Sequence, residues 1–149
     1  MSEARYLLGA LSVATILGLS AQGACNGMGK CGTASVLYSN IPIIVTYSYV
    51  AMIMISTVFF YGFILSIVII NKIGKSYTIF NGVSHLSASF IFGMIGLNSG
   101  QMMGNISKMC FKEISVKPDF YTTFIISLAS VEVTVVIGFL CTLLILHKS

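Results

Sequence analysis

A chain of 149 residues that is 56% hydrophobic and 8% charged, with a mean hydropathy of +0.97, does not compose a soluble domain, since those carry about 25% charged residues. It reads as an integral membrane protein with no room for a separate soluble domain. The formal charge of +4 comes from scattered lysines near the ends of apolar segments, which suits contact with lipid headgroups. There is no basic run interleaved with aromatics, so nucleic acid is excluded as a partner.

Four apolar stretches follow one another, each long enough to cross a bilayer. The first covers about residues 6–27. Its Ala21-Gln22-Gly23 would pass as a signal-peptide cleavage site, but the run is long for such a segment, and Gln22 spoils a lipobox ending at Cys25. It is therefore read as a retained transmembrane helix. A break is expected at Gly29-Lys30-Cys31-Gly32. The second stretch, 41–70, opens on Ile41-Pro42 and ends before Asn71-Lys72-Ile73-Gly74-Lys75. The third covers about 77–103, and a second break is expected over 108–118. The fourth, 119–146, opens after Lys117-Pro118. Four spans place both termini on one side of the membrane.

The fourth stretch holds Glu132, the only acidic or basic residue between its ends. A span needs about 20 residues, so Glu132 falls near the bilayer midplane. A charge there costs at least ~3 kcal/mol, and desolvation favours the uncharged acid. Such a residue either carries protons or serves as hydrogen-bonding glue between helices.

The spans are of two kinds. Eleven of the 14 glycines lie in the first and third stretches and the turns just after them. The second and fourth have one each, Gly62 and Gly138, among bulky residues. Close helix approach in lipid favours small residues. Helices one and three are therefore expected to crowd against protein, with Gly9, Gly23, Gly27, Gly93, Gly96 and Gly100 as packing positions. Helices two and four are expected to meet lipid and each other.

The alternation is that of an internal repeat. Pro42 and Pro118 stand 76 residues apart, as do Gly62 and Gly138, and Ser56 and Glu132. Gly9 and Gly82, Gly23 and Gly96, and Gly27 and Gly100 each stand 73 apart. The fold class is thus an all-α membrane protein, four transmembrane helices in two tandem αα-hairpin repeats. Residues 1–75 form the first and 76–149 the second, and only the second has a carboxylate in the middle of a span.

The motifs now resemble a known family. Gly23-Ala24-Cys25-Asn26-Gly27-Met28-Gly29-Lys30-Cys31-Gly32, Phe59-Phe60-Tyr61-Gly62, Gly93-Met94-Ile95-Gly96 and Val131-Glu132-Val133 with Gly138 are similar, in order and over nearly the whole chain, to motifs of the proteolipid ring subunits of V-type, vacuolar proton-pumping ATPases. The carboxylate in the second repeat resembles the c or c′ type rather than the c″ type. The sequence departs from the family's pattern at Val135, at Ile137 and at Leu97-Asn98-Ser99, which marks a divergent lineage.

The resemblance implies a ring of copies and paralogues, with helices one and three inside and two and four outside. It implies Glu132 as the proton-binding residue, an arginine-bearing stator subunit and central-stalk subunits as partners, and a vacuolar or other acidic endomembrane as the location. Candidates for hydrogen-bonding Glu132 are Tyr61, Ser56, Thr134 and Ser130. No nucleotide motif occurs, so ATP hydrolysis belongs to other subunits. Cys25, Cys31, Cys110 and Cys141 lack metal-site spacing, and no cofactor or metal is expected. His85 reads as a packed histidine rather than a proton relay. Two readings from other classes also fit four spans: a small proton-coupled antiporter, and a non-transporting tetraspan scaffold. The first usually keeps its acid in helix one, and the second usually has a large loop with paired cysteines.

Overall fold

A computed structural model describes residues 2–74 and 77–148. Four helices make up nearly all of it: α1 (Ser2–Leu37), α2 (Pro42–Lys72), α3 (Ile79–Val116) and α4 (Tyr121–Lys148), the last preceded by a 3₁₀ turn at Pro118–Phe120. All four are long and apolar enough to cross a membrane. The chain is a multi-pass membrane protein.

Local chemistry sets where the helices start. Pro42 occupies the first turn of α2, where its fixed φ suits the helix and its missing N–H is no loss. Thr78 caps α3, its hydroxyl accepting from the Asn81 N–H at 3.2 Å. Lys117 is extended (φ −132°, ψ 94°), as a residue before proline must be, and that separates α3 from α4.

Two expected breaks are corrected. The segment Gly29-Lys30-Cys31-Gly32 is helical, and α1 continues to Leu37. Likewise α3 runs through Lys108 and Lys112 to Val116. Glycines cost a helix roughly 1 kcal/mol each against alanine, but packing on neighbouring helices offsets that here. The lysine in the first break also has a partner, Lys30 Nζ donating to Asn105 Oδ1 at 3.0 Å. At 36 and 38 residues, α1 and α3 are roughly 54–57 Å long and overrun a hydrocarbon core of about 30 Å. Between α2 and α3, Lys75 of the expected junction, like Ser76, lies outside the described residues.

The tightest pairing is α1 on α3. A side chain on Gly23 or Gly27 would lie on the carbonyl oxygen of Gly96 or Gly100, and one on Gly100 would strike the Gly23 backbone. A Cβ on Gly104 would come within 2.7 Å of the Gly27 Cα. These are contacts of backbone on backbone, where no side chain can step aside. The other two helices pack on this pair more than on each other. Helix α2 turns Ile44, Ser48, Ala51, Ile55, Val58, Gly62, Leu65, Ser66 and Ile69 inward, and α4 buries Phe124, Leu128, Val135, Gly138, Thr142 and Leu146. Their outer faces carry exposed Ile53, Phe59, Phe60, Phe63, Ile137, Leu140 and Leu144. Gly62 therefore does not belong to an outward face. It faces α1, where a Cβ would meet Ser20 Oγ at 2.5 Å.

Candidate functional site

Helix α4 starts where Tyr121 stacks on Tyr47 of α2, ring centroids 3.9 Å apart and planes 18° from parallel. From that fixed end, eleven residues bring the chain to Glu132, about 17 Å along the helix, near mid-membrane. Its side chain is half-buried and reaches α2, where Glu132 Oε1 lies 3.3 Å from Thr57 Oγ1. The same Thr57 hydroxyl donates to the Met54 carbonyl at 2.6 Å. A hydroxyl has one proton to give, and the shorter bond takes it. The lone pairs left on Thr57 Oγ1 suit a donor, and a protonated carboxyl O–H is one.

The four side chains expected beside Glu132 are placed otherwise. Ser56 is exposed and donates to the Ile53 carbonyl at 2.7 Å, and Ser130 donates to that of Ile126 at 2.8 Å. Thr134 donates to the Ser130 carbonyl at 3.4 Å. Tyr61 packs its ring on Phe139 of α4, centroids 5.1 Å apart. The residue missed was Thr57. Its signal was its position on the α4-facing side of α2, one residue from Ser56 and about 100° round the helix.

An open cleft of about 530 Å³ lies between α3 and α4, lined by Asn98, Ser99, Gln101, Met102, Asn105, Ser130, Val131 and Thr134. Its α4 residues bracket Glu132 in sequence. Glu132 itself does not line this cleft; its polar contact is the Thr57 hydroxyl on α2.

The packing glycines are distributed as follows. Gly23, Gly27, Gly96 and Gly100 meet at the α1–α3 seam, while Gly9 faces Ile73 and Tyr77 and Gly93 faces Leu19. His85 is buried, with Nδ1 hydrogen-bonded to Tyr77 Oη at 2.8 Å, and Arg5 donates to the Tyr77 carbonyl at 3.2 Å. That cluster ties the start of α3 to the start of α1, far from Glu132. The four cysteines are free thiols, and among the described residues no group of His, Cys, Asp and Glu is arranged to hold a metal.

Residues 86–145, which contain most of α3 and all but the last turn of α4, match the family model for the C subunit of ATP synthase. The chain is 27% identical over 136 residues to the K subunit of the V-type sodium ATPase of Enterococcus hirae, an alignment covering 91% of this chain and 87% of that protein. It is 24% identical over 144 residues to the 16 kDa proteolipid of the V-type proton ATPase of Nephrops norvegicus, covering 95% and 91%. The corresponding 16 kDa proteolipid of Rattus norvegicus is 23% identical over 147 residues, covering 98% and 95%. With matches along nearly its whole length and a four-helix fold whose last helix carries a mid-span carboxylate, the chain is similar throughout to the proteolipid subunits of V-type ATPases.

Proposed function

We propose that this protein is a ring subunit of the membrane sector of a V-type ATPase and that Glu132 carries the transported proton. Copies of the chain, with paralogues, close into a ring in which the glycine seam of α1 and α3 lies inside. The outer layer is α2 and α4, whose exposed side chains are large and apolar. Hairpins 1–75 and 76–149 are the two units of each copy. The chain is not a catalytic subunit, and ATP hydrolysis occurs elsewhere in the complex.

The observation that carries the reading is the pairing of Glu132 with Thr57. An uncharged acid can donate to that hydroxyl while facing lipid, and it needs no counter-charge to cross the apolar part of the ring's path. It would ionise where a fixed partner presents water and a cation, for which an arginine on a stator subunit is the fitting group. Turning of the ring by central-stalk subunits then takes up a proton on one side and releases it on the other. An acidic endomembrane such as the vacuole is the setting such a pump serves.

A sodium-carrying version of the same machine is the second reading, favoured by the name of the Enterococcus relative. A hard cation needs several oxygen ligands at once, whereas among the described residues the side-chain oxygen within hydrogen-bond reach of the Glu132 carboxyl is the Thr57 hydroxyl. That favours the proton. The assembly part of the proposal is tested by the mass and symmetry of the particle extracted in mild detergent. A closed multi-copy ring is expected, and a discrete monomer would remove the ring reading in favour of an antiporter or a scaffold.

A further inference from the structure

Near the C-terminal ends of α2 and α4, a groove of about 520 Å³ opens on the outer face between them. It is lined by Val68, Lys72, Leu140, Leu143, Leu144 and His147. Four of these are aliphatic. The two basic ones, Lys72 and His147, lie in the last turns of their helices and so share one end of the groove. Because both helices span the membrane, that end is at headgroup depth and the aliphatic part runs into the hydrocarbon. Lys72 Nζ donates to the Leu146 carbonyl, which holds the ammonium across from α4. An ammonium has three donors, so this contact leaves two for another acceptor.

We infer that this groove is a binding site for an anionic phospholipid. One acyl chain lies along Val68, Leu140, Leu143 and Leu144, and the phosphate is held by Lys72 and His147. The ligand must be apolar along most of its length and anionic at one end, and the bilayer supplies that molecule at this depth. Basic pockets between transmembrane helices recognise anionic headgroups in this way. A zwitterionic lipid is disfavoured because its own ammonium competes with Lys72 for the phosphate. Among the described residues no acidic side chain lines the groove. The site is formed within one copy, so it depends on membrane residence and not on the ring or on Glu132.

The test uses the full chain extracted in mild detergent, mixed with dioleoylphosphatidic acid and dioleoylphosphatidylcholine, with retained lipid counted by native mass spectrometry. The protein should keep phosphatidic acid in clear excess. Removing one basic group should lower the preference about fivefold, the effect of one lysine near a membrane surface, so Lys72→Gln and His147→Gln should each fall while Lys72→Arg recovers. Leu144→Trp should fill the groove and reduce retention of both lipids. Lys112→Gln, at the opposite end of the helices, should change nothing. Helical content is read alongside; if Lys72→Gln lowers it, His147→Gln and Leu144→Trp decide. Equal retention of the two lipids overturns the site, as does a preference untouched in His147→Gln together with total retention untouched in Leu144→Trp. An equal loss in Lys112→Gln also overturns it, because it would reflect overall charge rather than the groove.

Discussion

Adding a single methyl group at Gly27 tests whether the α1–α3 seam holds the protein together. A Cβ there would lie on the Gly100 carbonyl oxygen and 2.9 Å from Ile55 Cγ2. The first contact is backbone, so relief requires the two helices to separate. Overpacking of this kind costs typically 1–3 kcal/mol, and separation also loosens the neighbouring contacts at Gly23, Gly100 and Gly104. Against this, alanine gains roughly 1 kcal/mol over glycine in a helix. The net loss for Gly27→Ala should therefore be up to about 2 kcal/mol, and more for Gly27→Leu. Gly18 and Gly29, on the same helix, have nothing within 4 Å of an added Cβ, so Gly18→Ala and Gly29→Ala should be neutral or slightly stabilising in one copy. The assay is unfolding of the extracted protein in mixed micelles, followed by circular dichroism as denaturing detergent is raised. If Gly27→Ala unfolds no earlier than Gly29→Ala, the seam is not what holds α1 to α3.

Thr57→Val keeps the shape but removes the hydroxyl beside Glu132. Hydrogen bonds in membranes are worth about 0.6–1.7 kcal/mol, so proton pumping should fall roughly three- to eighteenfold with ring assembly intact, measured as acidification per recovered ring. Ser56→Ala, at an exposed position one residue away, should leave the same measurement unchanged. Gly62→Ala should destabilise less than Gly27→Ala, because its added Cβ meets the Ser20 side chain at 2.5 Å rather than a backbone, and the same micelle unfolding series ranks them. In a eukaryotic host the Asn105-Ile106-Ser107 sequon should remain unmodified if both hairpin loops face the cytosol, which glycosidase treatment reads as an absence of mass shift.

Much of the fold was legible because hydropathy over tens of residues is hard to disguise. The two X-Pro steps marked the starts of the second and fourth helices for a local reason: proline fixes its own φ and extends the residue before it. The far ends of α1 and α3 were not legible. Gly29-Lys30-Cys31-Gly32 has the composition of a turn, and what keeps it helical is packing against other helices together with an amide on α3 that receives Lys30. Neither can be read from the segment itself. At the site, Glu132 stood out because an acid in an apolar span is costly and so has few explanations, a proton carrier or hydrogen-bonding glue between helices. Its partner did not stand out. The repeat pointed to Ser56, yet adjacent helical positions differ by about 100°, and Thr57 is the residue that faces α4. Likewise, the bulky surroundings of Gly62 suggested an outward position, but a helix has two faces, and its buried set places Gly62 against α1.

The central claim is that Glu132 carries protons as part of a ring. The most direct measurement is acidification of vesicles bearing the assembled ATPase, in sodium-free medium, for the wild-type chain and for Glu132→Gln. Glutamine keeps the shape and a hydrogen-bond donor of the uncharged acid but cannot release a proton. The wild type should acidify without sodium and no faster when sodium is added, and Glu132→Gln should yield a normal amount of ring and no acidification. Acidification that persists in Glu132→Gln, or that requires sodium in the wild type, would contradict the account.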